Sequence, residues 1–164
     1  MPALKQLCEE DDSVGFNWDE GRYKRAFYRL SKFTLVLVDP TNPNSGLSSE
    51  EQELAELQCI TYPSEIANYE YDDFRVYKSC IRKSEFGGGE AEFFVCSEYH
   101  WFDKDTESWE ISFDCEQYGD LELQFTPNEF FHSYFLHGQT TAFPTDDYKD
   151  SLSISVGRCS SIVE

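Results

Sequence analysis

From Phe74 to Phe125 apolar and polar residues alternate with a period of two, and the alternation survives three chain reversals. That pattern predicts four antiparallel strands in a meander over about 74–126. The first reversal is Glu85-Phe86-Gly87-Gly88-Gly89-Glu90, where the glycines supply the positive φ angles that a tight turn needs. Folding about Gly88 sets Ile81 opposite Val95 and Tyr77 opposite Tyr99. The reversal at Asp103–Glu107 sets Trp101 opposite Trp109 and Tyr99 opposite Ile111, and the one at Gln117–Asp120 sets Phe113 opposite Leu123. In this register one face is apolar: Tyr77, Ile81, Phe93, Val95, Tyr99, Trp101, Trp109, Ile111, Phe113, Cys115, Leu121, Leu123 and Phe125. The other face carries Glu92, Glu98, His100, Glu110, Asp114, Glu116 and Glu122, together with Phe94 and Phe102. Asp114 falls opposite Glu122, and like charges opposed across a ladder repel.

The pattern changes after Phe125. Thr126-Pro127-Asn128-Glu129 has the form of a capping box with proline at the first helical position, and predicts a helix over 127–137 closed by Gly138. Phe130, Phe131, Tyr134 and Phe135 form its packing stripe. Upstream, Tyr23, Phe27 and Leu30 share one helical stripe, while Arg22, Arg25, Arg29 and Lys32 share a basic one. A helix over 20–31 follows, then a strand over 33–38 (Phe-Thr-Leu-Val-Leu-Val). Residues 39–46 are a loop by their prolines, asparagines and glycine. Ser48 and Ser49 open a short helix with Leu54 and Leu57 on its inner side. Leu152, Ile154 and Val156 predict a last strand over 151–157, and residues 1–16 read as a loosely held acidic lead-in. The fold class expected is α+β in a single domain over 1–164.

Charge adds a constraint on partners. The chain of 164 residues carries a formal net charge of −19, and residues 84–164 hold 17 acids against three bases. Such a field repels nucleic acid and anionic membrane and attracts basic proteins. Aromatic residues make up 16% of the chain, enough to support a packed core despite the charge. The basic stripe from Arg22 to Lys32 is the one place where nucleic acid could dock, and its simpler role is to balance acids of the same chain. The six cysteines form no Cys-x-x-Cys and lack histidines at ligand spacing, which points away from zinc. Met1–Asp12 has no apolar core of a leader peptide, and no run approaches a membrane span. These features together predict reduced thiols in a cytoplasm (a host cytoplasm if the chain is viral), with a Cys80–Cys96 bridge as the alternative that the register permits.

No catalytic constellation emerges. There is no phosphate-binding loop, nucleophile elbow or His-Glu-x-x-His. His132 and His137 are five apart and cannot chelate one metal from one helix face. His100 falls opposite Glu110, a pair able to move protons but lacking a nucleophile. In charge and size the chain resembles small acidic inhibitors: immunity proteins, DNA mimics and viral antagonists of basic host factors. The expectation is a protein without enzymatic activity, metal or cofactor that blocks a basic partner such as a nuclease. Its binding face would be Glu92, Phe94, Glu98, Phe102, Glu110, Asp114, Glu116 and Glu122. The alternatives are a viral structural or assembly subunit, and an enzyme with a site around His100 or His132.

Overall fold

The computed structural model describes residues 5–19, 22–26, 30–42, 45–61, 68–117, 120–127, 129–135 and 151–162. The strands are β1 (Lys5–Asp19), β2 (Arg22–Ala26), β3 (Lys32–Val38), β4 (Tyr69–Glu70), β5 (Phe74–Glu85), β6 (Glu92–Asp103), β7 (Ser108–Gln117), β8 (Asp120–Phe125), β9 (Glu129–Phe135) and β10 (Ser151–Ser161). One helix, α1 (Ser49–Glu56), runs into a π-helical turn at Leu57–Thr61. The strands form one curled antiparallel sheet in the order β10-β9-β8-β7-β6-β5-β3-β1-β2, with β4 on β5. β10 also pairs with β1, so the circuit of pairings returns on itself through eight strands. The meander between Phe74 and Phe125 is present, as are the strand at 33–38 and the helix opened by Ser48.

The α+β expectation is corrected to a mostly β architecture. Glu129–Phe135 is strand β9 rather than a capped helix, pairing with β8 at Leu123↔His132 and with β10 at Leu152↔Phe135. Its aromatic residues suit a pleated surface, and two flanking strands outweigh a local cap signal. Gly138 lies outside the described residues. The helix expected over 20–31 is replaced by β2 at Arg22–Ala26, which pairs with β1 from Gly15↔Ala26 to Asp19↔Arg22. The lead-in is the longest strand, β1, with β10 on one side and β2 and β3 on the other. The last strand extends to Ser161 and is paired on both sides.

The register differs by one residue on both sides of β6. Ile81 faces Phe94 rather than Val95, Tyr77 faces Glu98, and Trp109 faces Phe102. A slip of one turns every side chain of a strand to the other face. The inner face of β6 is therefore Phe94, Cys96, Glu98 and His100, opposed to Ile111, Phe113 and Cys115 on β7. The inner core contains Phe33, Leu35, Ile81, Phe94, Phe113, Leu123 and Phe125. Phe113 and Phe125 stack with ring centroids 4.4 Å apart.

A second layer lies outside the sheet. Phe93 and Val95 pack with Ala55, Cys59 and Cys80 under α1. The helix starts on a capping box: Ser48 Oγ accepts from the Glu51 N–H, and Glu51 accepts from the Ser48 N–H. That backbone hydrogen bond to Ser48, with Arg82 alongside, lowers the Glu51 pKa. Leu54 and Leu57, expected inward, are exposed, and the buried residue of α1 is Ala55.

All six cysteines are paired: Cys8–Cys159, Cys59–Cys80 and Cys96–Cys115. This corrects both the reduced thiols and the Cys80–Cys96 alternative. Cys8–Cys159 and Cys96–Cys115 join directly opposed residues of neighbouring strands on the inner face. Cys59–Cys80 ties the π turn to β5. Cys8–Cys159 spans 151 residues, which in the chain-entropy account stabilises the fold by about 5 kcal/mol; the shorter loops contribute about 3 kcal/mol each. Among the described residues no helix is long and apolar enough to cross a membrane.

The register makes a stability prediction. Phe94 is fully buried, whereas Trp101, on the opposite face of the same strand, is 38% exposed. Phe94→Ala is expected to cost about 3–5 kcal/mol in urea unfolding, and Trp101→Ala clearly less. A larger loss for Trp101→Ala would put the wrong face of β6 inside.

Candidate functional site

Seven of the eight residues expected on one acidic face are divided between two. Glu92, Phe94, Glu98 and Phe102 belong to the inner face of β6, while Glu110, Asp114 and Glu116 alternate outward on β7. Phe94 is a core residue with no exposed surface. Phe102 packs edge-on against Trp109 at 5.7 Å. Glu92 accepts from Lys83 Nζ at 2.9 Å, and that lysine is itself buried against the Phe33 ring. The side chain of Glu122 lies outside the described residues.

The opposed acids are also corrected. Asp114 sits opposite Gln124, whose Nε2 donates to Asp114 Oδ1 at 3.1 Å. Glu122 falls at the register shift, between the pairs Glu116↔Leu121 and Cys115↔Leu123. His100 is opposite Ile111, and it is Trp101 that faces Glu110.

The outer wall of β6 and β7 retains a smaller acidic surface. Exposed Trp101 and exposed Glu110 are cross-strand neighbours, with Asp114 opposite Ser97 and Glu116 opposite Val95. The Asp103–Ser108 reversal closes this wall at one end. There the Asp105 N–H donates to Asp103 Oδ1 at 2.8 Å and holds the Asp103 carboxyl below its usual range.

The inner face holds a polar chain that the sequence pattern assigned to solvent. Glu98 is 8% exposed and His100 is 7% exposed. His100 Nε2 and Glu98 Oε1 are 2.6 Å apart, and Ser79 Oγ donates to Glu98 Oε2. The Tyr77 ring stands edge-on to His100 at 5.3 Å, and its hydroxyl donates to Glu70 Oε1 at 2.7 Å. That hydrogen bond to Glu70 raises the Tyr77 pKa. The order Ser–Glu–His places the carboxylate in the middle. The serine therefore donates to an acid and has no imidazole base, which is not the arrangement that activates a nucleophile. His132 faces Leu123 and Ser155 in register, on strands other than the one that carries His100.

Among the described residues, cavities open onto the sheet at two places. One, of about 610 Å³, is lined by Leu37, Val38, Asp39, Pro40, Tyr77, Ser79 and Glu98 among others. The other, of about 630 Å³, lies beside Asp11, Phe113, Gln124 and Arg158. Arg158 there donates two hydrogen bonds of 2.9 Å to Asp11, which lower the Asp11 pKa. Among the described residues no group of three His, Cys, Asp or Glu side chains can hold a metal ion. No family model, characterised protein or solved structure matches the chain.

The two faces predict different costs for deleting an acid. Glu98→Ala strips buried Ser79 and His100 of their shared partner and is expected to cost about 1–3 kcal/mol. Glu110→Ala, at an exposed position, should stay within about 0.5 kcal/mol of the parent. Equal denaturation midpoints for the two variants would contradict the inward placement of Glu98.

Proposed function

We propose that the chain is a binding protein, without catalytic activity, for a basic protein partner, and that it works in an oxidising compartment. The acid excess of the second half of the sequence, 17 acids against three bases, carries the reading of the partner. A surface of that sign steers cationic proteins toward it at rates that fall with ionic strength. The docking surface proposed is the outer wall of β6 and β7, where exposed Trp101 faces Glu110 and the row of acids continues along β7 to Asp114 and Glu116. An exposed aromatic anchor at the end of an acidic row suits an interface better than the core residue Phe94 does. The pairing of all six cysteines supports the compartment, since disulfides persist where glutathione and thioredoxin do not reduce them. The cytoplasmic expectation rested on the lack of an apolar leader or membrane span and predicted reduced thiols, which the paired cysteines contradict.

The test is surface-immobilised binding of a small protein of high pI, alongside the same protein with its lysines acetylated. Replacing Glu110, Asp114 and Glu116 by their amides and Trp101 by alanine is expected to slow association at low salt by about tenfold. Acetylation of the probe should do the same. Undiminished association of the quadruple variant would leave the outer wall as plain solvated surface and end this reading.

A further inference from the structure

The wall of the sheet has a window. β3 ends at Val38, opposite Cys80 on β5, and β4 begins to pair with β5 only at Val76. Tyr77, Lys78 and Ser79 lie between these ladders and, among the described residues, have no strand partner on that side. The Lys78 N–H is met instead by Asn68 Oδ1 at 2.9 Å. The 610 Å³ cavity lies in this gap and reaches from the outer rim, at Lys78, Asp39 and Pro40, to Glu98 on the inner face. Its size is that of a small-molecule site.

Glu98 is the group at its inner end. A carboxylate this buried needs a positive partner to offset its desolvation. Its partners are Ser79 and His100, the imidazole within ion-pair distance at 2.6 Å, and among the described residues no lysine or arginine joins them. Each occupies one carboxylate oxygen, which leaves further lone pairs free to accept. At the rim, Asp39 accepts from the Thr41 hydroxyl at 2.6 Å and from the Thr41 N–H at 2.9 Å. These bonds, the hydroxyl first, hold the Asp39 carboxyl below the usual range, so the rim carries an acid beside Lys78. Leu37, Val38 and Pro40 supply apolar wall between the two acids.

We propose that this window is a binding site for a small organic amine. Its ammonium group would donate to Glu98, and its apolar body would lie against Leu37, Val38 and Pro40. Lys78, exposed on the outer rim, disfavours a second positive charge at the entrance and selects a monoamine. The site rests on the reading of this chain as a binder of cations, but uses the opposite face of β6 from the protein-docking wall.

The test uses the full chain with its disulfides intact. Phenethylamine and its neutral isostere phenethyl alcohol are titrated by calorimetry and by NMR. The amine is expected to bind at least about tenfold more tightly than the alcohol, and Glu98→Gln should remove that preference. The Glu110→Gln/Glu116→Gln variant should bind the amine as the parent does, so failure of the outer wall and failure of the window give separate results. If Glu98→Gln does not fold, the parent spectra decide: amine-induced shifts at Leu37, Val38 and Tyr77 support the site, and shifts confined to the surroundings of Trp101 overturn it. A pentalysine peptide run in parallel separates a free amine from lysine side chains of a protein. Binding by the peptide alone, or equal binding of amine and alcohol, would overturn the proposal.

Discussion

The pairing of β6 with its two neighbours is the constraint on which the rest of the structure depends. Because strand side chains alternate, the choice of Phe94 rather than Val95 as the partner of Ile81 decides the content of both faces at once. It places Phe94, Cys96, Glu98 and His100 inside and turns Phe93, Val95, Tyr99 and Trp101 outward. It also brings Cys96 opposite Cys115, where their Cα atoms are 4.0 Å apart and a disulfide locks the register covalently. The same device recurs where the circuit closes, with Cys8 opposite Cys159 at 4.1 Å.

The outward half of β6 would leave Phe93 and Val95 in water. α1 and its π turn cover them, held there by Cys59–Cys80, so α1 serves as a lid on one apolar patch. This layer ends where β3 ends. Among the described residues neither helix nor strand covers β5 between Val38 and β4, and the wall opens there toward Glu98. The candidate small-ligand site is thus a consequence of where the ladder stops, and the acidic outer wall a consequence of which residues of β7 alternate away from the core.

Some of this was legible in the chain. Period-two alternation located β5, β6, β7 and β8, the three glycines with φ of 105°, 99° and 137° marked the first reversal, and Ser48 with Glu51 marked the start of α1. The register was not legible, for a physical reason. Phe93-Phe94-Val95-Cys96 is buried on both faces, so hydrophobicity cannot say which residues point inward. The β5–β6 ladder is centred between Gly87 and Gly88 rather than on Gly88, and that alone moves the pairing by one. The two misread helices share another cause. Tyr23, Phe27 and Leu30, and likewise Phe130, Phe131, Tyr134 and Phe135, fit a helical stripe, yet the β2 and β9 segments within those stretches meet open strand edges. Glu98 and His100 read as solvated because charge is normally outside, and only the register shows that they share an interior pocket with Ser79.

An acidic exterior and an acid at the inner end of a window give the molecule one sign of field on two faces of the same strand pair. Both proposed roles depend on Glu98 facing in while Trp101 and the acids of β7 face out, and therefore on one register. Peptide mapping of the non-reduced protein reads that register directly. The account predicts three linked peptide pairs, Cys8 with Cys159, Cys59 with Cys80 and Cys96 with Cys115. A peptide pair joining Cys80 to Cys96, or free thiols at Cys96 and Cys115, would contradict it.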